Sequence, residues 1–345
     1  MVALSGGVDS SVAAALLQEN GFDVSAGTLR LYETEGISPE VERAKSVSDL
    51  LGIEHFVFDM RELFEQEVIR RFSRDYSLGL TPNPCVECNR YVKFGALLDK
   101  ALEQGCDAIA TGHYSKIKYD GGSGRWLLHR AEDPKKDQTY VLWQLSQNQL
   151  SHILMPLGEL TKDEVRTIAE ARGFVSAKAK ESQDICFVPD GKYADFLQTY
   201  ENRTFEKGNY VDLEGRVLGP HLGHQCYTVG QRKGLGIAIG KPQFVISKDP
   251  TTNEVVLGDE EHLFKTRVYV NEVNLMAMDM PQSPIECTAK LRYSARDEKC
   301  ILHPLGGGEA LLEFAKPQRA PSAGQSAVFY EGEVLLGGGK IVRGE

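Results

Sequence analysis

Apolar positions in the first half of the chain fall into short unbroken runs, separated by longer stretches where they recur every three to four residues. Val2-Ala3-Leu4 is a run of the first kind, the end of a buried strand, and Val12-Ala13-Ala14-Ala15-Leu16-Leu17 is rich in good helix formers. Val24–Leu29 and Ile53–Phe58 read as the second and third strands. Between them, Glu40–Gly52 reads as a helix with Val41, Ala44, Val47, Leu50 and Leu51 on one face and Gly52 as its stop. Arg61–Tyr76 is helical by the spacing of Leu63, Phe64, Val68, Ile69 and Phe72. Phe94–Gln104 is a further helix, and Ala108–Thr111 is a strand that runs into Gly112-His113-Tyr114. Thr161 with Glu164 three residues on forms a capping box, opening a helix expected to reach Arg172. Strands alternating with helices predict an α/β unit whose parallel sheet is covered on both faces. Ligands then sit at the carboxyl ends of the strands.

From about Asn202 the period changes. Short β-like runs separated by glycine turns take over: Gly208–Val211, Tyr227–Val229, Phe244–Ile246 and Glu254–Leu257. After about Lys265 come Arg267–Asn271, Ile285–Tyr293, Cys300–His303, Leu311–Phe314, Ser326–Tyr330 and Glu333–Leu336, at a spacing that suggests a small antiparallel barrel. The expected organisation is therefore an α/β unit over 1–200, a central β-rich unit over 201–263 and a β-barrel over 264–345.

The first candidate chemistry lies between the first strand and the first helix, in Ser5-Gly6-Gly7-Val8-Asp9-Ser10-Ser11. A strand, a glycine turn and a helix N-terminus make an anion site. Gly6 and Gly7 admit close approach of an oxyanion, and the first helical turn points free N–H groups at it. Ser5, Ser10 and Ser11 add hydroxyls, and Asp9 is placed to hold Mg²⁺. No Gly-Lys-Ser/Thr follows, so this is not a Walker loop, and it is not Gly-x-Gly-x-x-Gly either. The plainer alternative is an ordinary turn with Asp9 or Ser10 as an N-cap.

Thr81-Pro82-Asn83-Pro84-Cys85-Val86-Glu87-Cys88-Asn89-Arg90 carries a second candidate. Its prolines predict an extended, rigid loop presenting two cysteines, which suits zinc or a cluster, redox or sulfur chemistry, or inert packing. No second Cys-x-x-Cys and no nearby His pair completes a zinc site. Cys186, between Ile185 and Phe187, reads on its own residues as a packing cysteine. Asp133–Tyr140 is a polar stretch ahead of the apolar Val141-Leu142-Trp143. The loop Gly230–Gly236, with Gln231, Arg232 and Lys233, is basic and suited to a phosphate backbone, and Lys290, Arg292 and Arg296 form a second basic group or a solvated barrel face.

Composition narrows the class. With 345 residues and 41% hydrophobic content the chain holds two or three domains with a sizeable core, and no apolar stretch approaches a membrane span. Seven cysteines, an odd number, point to a reduced compartment, the cytoplasm or an organelle matrix. A net charge of −10 argues mildly against nucleic acid, but a local basic patch can coexist with it.

The loop Ser5–Ser11 resembles the Ser-Gly-Gly-x-Asp-Ser pyrophosphatase loop (PP-loop) of ATP-dependent adenylating enzymes. Together with Thr81–Arg90, Ala110–Tyr114, Lys136–Tyr140, Ser182–Phe187, Tyr227–Ile237 and Gly324–Gly339, it resembles the tRNA-specific 2-thiouridylases of the MnmA/TrmU family along the whole chain. The resemblance implies an adenine-nucleotide α-hydrolase-like (PP-loop) α/β domain followed by two β-rich domains. It implies ATP-dependent adenylation of the C2 oxygen of the wobble uridine, then sulfur transfer from a persulfide on Cys186, with Cys88 resolving the linkage as a disulfide. By the same resemblance, ATP is expected at Ala3, Leu4, Ser5, Gly6, Gly7, Asp9, Ser10, Ser11, Leu29, Gly112 and His113, with Mg²⁺ on Asp9. The tRNA anticodon arm is expected at Lys136, Asp137, Gln138, Gln231, Arg232, Lys233, Arg292 and Tyr293, and a cysteine desulfurase or sulfur-relay protein as donor.

Three departures from the family pattern stand out. Cys85 occupies a position where many members carry an acid/base Asp, so Cys85, Cys88 and Cys186 are also candidate ligands of a [4Fe–4S] cluster carrying the sulfur. The stretch Leu29–Ser38 is short and lacks the family's Trp-rich acidic segment, and Met1 stands almost on the loop, so the first strand reads as clipped. Two rivals are an adenylating synthetase for a small molecule and a non-catalytic metal- or cluster-binding RNA protein.

Overall fold

The computed structural model describes residues 1–32, 38–174, 185–188, 191–237 and 240–345. Ser182–Asp184 of the segment around Cys186, and 33–37 of the shortened stretch after the second strand, lie outside them.

The predicted parallel sheet is present. Its strands are β1 (Val2–Ala3), β2 (Ala26–Arg30), β3 (His55–Asp59), β4 (Ile109–Ala110) and β7 (Ile153–Leu154), in the order β3-β2-β1-β4-β7 and parallel throughout. Helix α1 (Val8–Glu19) follows β1, and α2 (Pro39–Leu51) follows β2. Ser38 caps α2 through the Val41 amide, and Gly52 ends it at φ 66°, as the stop residue requires. The alanine-rich face of α1 is buried against Leu4, Ala26, Ala44 and Val165, the small side chains letting helix and sheet approach closely.

The Cys-x-x-Cys segment corrects the sequence-based expectation. Only residues up to Asn83 are extended. Pro84 occupies the first turn of a helix, where its missing N–H costs nothing, and the Asn83 side chain accepts the Cys85 amide hydrogen bond as cap. That helix spans 84–103 and is π-wound over Cys88–Ala96, so both cysteines sit on its first turns.

The second half resolves into two sheets. The central one has four strands, β8 (Gly208–Val211), β9 (Val217–His221), β10 (Phe244–Asp249) and β11 (Glu254–Gly258), in the order β10-β11-β8-β9. The expected run Tyr227–Val229 is not a strand. It leads into a turn whose Gly230 and Gln231 backbone bonds to Val245, while the Tyr227 ring packs with Tyr210.

The third sheet closes, as the spacing suggested. β12 (Phe264–Leu275), β15 (Glu309–Arg319), β14 (Glu298–Gly306), β13 (Ile285–Lys290), β16 (Ser326–Glu331) and β17 (Val334–Gly344) form a ring sealed by β12 against β17. A hairpin missed by the sequence reading, β5 (Lys116–Asp120) and β6 (Arg125–His129), leaves the first unit and pairs with β17. Strand pairing thus runs straight from the α/β unit into the barrel. Behind the join, Trp143 and Tyr140 are wholly buried with Val328, Tyr330 and Leu335, and bond to Ser326 through the indole N–H and phenol O–H.

Candidate functional site

At the carboxyl ends of the sheet lies a cavity of about 420 Å³, walled by Ser5, Asp9 and Ser10 on one side and Cys85, Cys88 and Cys186 on another. Of the expected nucleotide residues, Ala3, Leu4, Leu29, Gly112 and His113 line it too.

The loop's conformation follows from its residues. Gly6 has φ 71°, and a Cβ there would stand 2.4 Å from Arg43 Cβ and 2.7 Å from the Ala44 amide nitrogen of α2. Gly112 comes equally close to α1, since a Cβ would meet the Asp9 backbone at 2.8 Å. The N-cap of α1 is Gly7, with no side-chain cap. Neither Asp9 nor Ser10 caps the helix, and its first backbone bond runs from the Ser11 amide to the Gly7 carbonyl. Ser5 and Ser10 pair through their hydroxyls at 3.2 Å on the cavity wall. Ser11 is buried, and its hydroxyl donates to the Gly7 carbonyl at 2.8 Å, so it fixes the loop rather than facing the cavity.

Asp9 carries two contacts that sequence reading missed. Lys162 donates to its Oδ1 at 2.6 Å and the Tyr114 hydroxyl to the same atom at 2.7 Å. Lys162 is buried in the first turn of the helix Lys162–Ala171, the end where the helix dipole disfavours a cation. That misplaced charge was the one signal available in the sequence. His113 is buried, its Nδ1 2.7 Å from Thr111 Oγ1, and burial together with the Lys93 charge pushes its pKa well down, so the ring is neutral.

The three thiols are all free. Cys186 is not the packing residue its neighbours suggested: it is exposed, facing the cavity beside Phe187, whose ring packs edge-on against Phe64 and Phe72. Cys85 is exposed and Cys88 buried. Burial pushes the Cys88 thiol up to about 12, and the partly dehydrated cavity walls raise Cys85 and Cys186 as well. Among the described residues, no three Cys, His, Asp or Glu side chains converge as a metal-binding group.

The expected RNA residues divide. Arg232, Lys233 and Tyr293 are exposed. Tyr293 packs edge-on to Tyr140, with Lys290 Nζ 5.4 Å from its ring, and its phenol is pushed up by partial burial and the charges of Asp137 and Cys85. Gln138 lines the cavity and accepts the Tyr114 amide at 2.9 Å. Lys136 is half-exposed. Three others are used internally. Asp137 is buried and accepts from Ala131 N and Thr139 Oγ1; Gln231 bridges Thr228 N and the Lys233 carbonyl. Arg292 donates to the carbonyls of Ala320 and Val229 and to Ser322 Oγ, tying the Gly230 loop to the barrel. Polar residues in a contiguous motif read alike in sequence; only the fold shows which hydrogen-bonding capacity is already spent.

Family models described as a tRNA methyl transferase HUP domain, a tRNA methyl transferase PRC-barrel domain and an aminomethyltransferase beta-barrel domain match residues 1–190, 194–259 and 265–341. A tRNA-specific 2-thiouridylase MnmA of Carboxydothermus hydrogenoformans is 46% identical over 352 residues, spanning 99% of this chain and 96% of its own. One of Moorella thermoacetica is 47% identical over 351 residues, spanning 99% and 98%. Among solved structures, the U34-tRNA thiolase NcsA from Methanococcus maripaludis with its [4Fe-4S] cluster covers 58% of this chain and 65% of its own, at a TM-score of 0.34 and 20% identity, too remote to bear on the cysteines here.

Proposed function

The chain belongs to the family of tRNA-specific 2-thiouridylases, and from that premise we propose how its cavity joins the two halves of the reaction. It is an ATP-dependent tRNA-uridine 2-sulfurtransferase. The observation that carries the mechanism is that the phosphate-type loop and three thiols wall one cavity.

A uridine C2 oxygen is a poor leaving group. Attack of that oxygen on the α-phosphorus of ATP, with loss of pyrophosphate and of the N3 proton, turns it into a phosphate ester that can leave. In our reading the triphosphate lies on the free amides of α1 and the hydroxyls of Ser5 and Ser10. Asp9, about one-third exposed on the cavity wall, would hold the Mg²⁺ that accompanies ATP, and that ion supplies charge neutralisation for the departing pyrophosphate. The persulfide of Cys186, delivered by a cysteine desulfurase or a relay protein, attacks C2. Cys88 then takes the Cys186 sulfur into a disulfide, which an external thiol reduces before the next turnover. The wobble uridine must leave its stack to enter, a small cost in a single-stranded anticodon loop. Exposed Arg232, Lys233 and Tyr293 serve the surrounding backbone and bases.

The test is 2-thiouridine formation by iron-free protein supplied with ATP, Mg²⁺, unmodified tRNA and a persulfide-generating desulfurase, read by mass spectrometry of digested nucleosides. Wild-type product, lost in D9A, C88S and C186S, is expected. Activity in C186S would overturn the persulfide assignment. Pyrophosphate release without tRNA would favour a small-molecule synthetase, and tRNA binding without ATP turnover a non-catalytic RNA protein.

A further inference from the structure

Lys93 takes no part in the scheme above, yet it lines the same cavity as Asp9, Cys85, Cys88 and Cys186. It is five residues beyond Cys88, on the π-wound stretch Cys88–Ala96. On an α-helix a residue five positions on lies about 140° round the axis, at roughly 100° per residue. The wider π turn, closed by i to i+5 bonds, instead returns Lys93 towards the face of Cys88.

The Lys93 ammonium acts on four groups at once, opposing the burial-driven rise of the Cys85, Cys88 and Cys186 thiols and adding to the burial-driven fall of His113. His113 adjoins Gly112, whose backbone touches the start of α1. The charge of Lys93 therefore reaches both the sulfur side and the nucleotide side of the cavity. Among the described residues it also lacks a counter-ion. The acids on the cavity walls are already engaged, Asp9 by Lys162 and Glu40 by Arg43, and Lys93 has no salt bridge or hydrogen-bond partner among the described residues. An unpaired cation facing a cavity that admits a polyanion is a site awaiting charge.

Resting on the thiolation reading, we propose that Lys93 is a catalytic residue of the second half-reaction, receiving the adenylate phosphate as sulfur displaces it. The terminal persulfide sulfur forms the C2–S bond. The C2–O bond breaks, and its electron pair leaves on the oxygen of AMP, whose phosphate gains one negative charge. Lys93 meets that charge without a proton transfer. Cys88 then attacks the Cys186 sulfur; the old S–S pair passes to the sulfur on C2, and N3 takes up a proton to give 2-thiouridine.

The proposal separates Lys93 from ATP turnover. In K93M and K93Q, the single-turnover burst of pyrophosphate with tRNA should stay within a few-fold of wild type. Formation of 2-thiouridine should fall by roughly 10²–10³-fold, the cost of removing one oxyanion partner. Adenylated tRNA should accumulate and be visible by mass spectrometry, and K93R should recover most of the product. A preserved burst also shows that the variants fold. Undiminished product in K93M, or burst and product lost in equal measure, would overturn the proposal. Absence of product from wild type under the same conditions would overturn the thiolation reading and the proposal with it.

Discussion

Gly6→Ala should disable the nucleotide loop without unfolding the protein, and the structure supplies the magnitude. At φ 71°, a residue with a Cβ pays about 1 kcal/mol for the left-handed conformation alone. The larger effect is steric. The new Cβ would lie 2.4 Å from Arg43 Cβ, 2.8 Å from the Arg43 carbonyl carbon and 2.7 Å from the Ala44 amide nitrogen. Carbons settle at about 3.5 Å or more, so the gap must open by roughly 1 Å. None of those three atoms can rotate aside, because two are backbone and one is a Cβ. Either the loop or α2 moves, and around Gly6 the loop is held by serine hydrogen bonds, weaker restraints than the packed helix. A shift of that size in a reacting group costs on the order of 10²-fold in rate. Gly21→Ala is the control: at φ 82° with nothing within 4 Å, it carries the conformational strain without the collision. We expect tRNA-dependent pyrophosphate release to fall on the order of 10²-fold in G6A. G21A should lose about 1 kcal/mol of stability and no activity. Pyrophosphate release within twofold of wild type in G6A would refute the collision argument; an equal loss in both variants would refute its attribution to α2.

Two further predictions concern the cysteine helix. Lys340 on β17 pairs with Glu87 at 3.0 Å, one residue before Cys88, where the carboxylate is nearly enclosed and its Oε2 has no partner among the described residues. K340M should therefore cost about 3–5 kcal/mol in a denaturant titration. K340M/E87Q should recover part of it, and no loss would show that the clamp is solvated. The second follows from Cys88, raised from 9.0 to about 12 by burial. The folded state holds that proton while an unfolded chain releases it, so the Cys88 contribution is intact below pH 9 and lost as pH climbs towards 12. Stability should fall with pH across that window and fall less in C88A; iodoacetamide at pH 8 should modify Cys186 ahead of Cys88, and the reverse order would contradict the burial.

What the sequence disclosed and what it concealed divide along physical lines. The parallel sheet, α1, α2 and the closed barrel are set by local period and turn residues, and these are written in order along the chain. The loop Ser5–Ser11 was legible because the glycines, hydroxyls and carboxylate that make an anion site are adjacent there. Cys85 and Cys88 were visible as a pair but misjudged as a loop, since two prolines read as extended until one of them proves to be the first turn of a helix. Lys162 and Lys93 escaped for a different reason. Lys162 reaches Asp9 across 153 positions, a distance no local pattern records. Lys93 lines the same cavity as Cys88 from a stretch of helix wound one residue wide, and an α-helical reading turns the ammonium away. The β5–β6 hairpin was lost the same way, its partner being β17 at the far end of the chain. The residues hardest to read are thus the charges of the cavity and the strands that join the domains. A cavity that stabilises a leaving phosphate beside a sulfur nucleophile needs cations gathered from separate elements, so its most informative residues are the ones the fold alone assembles.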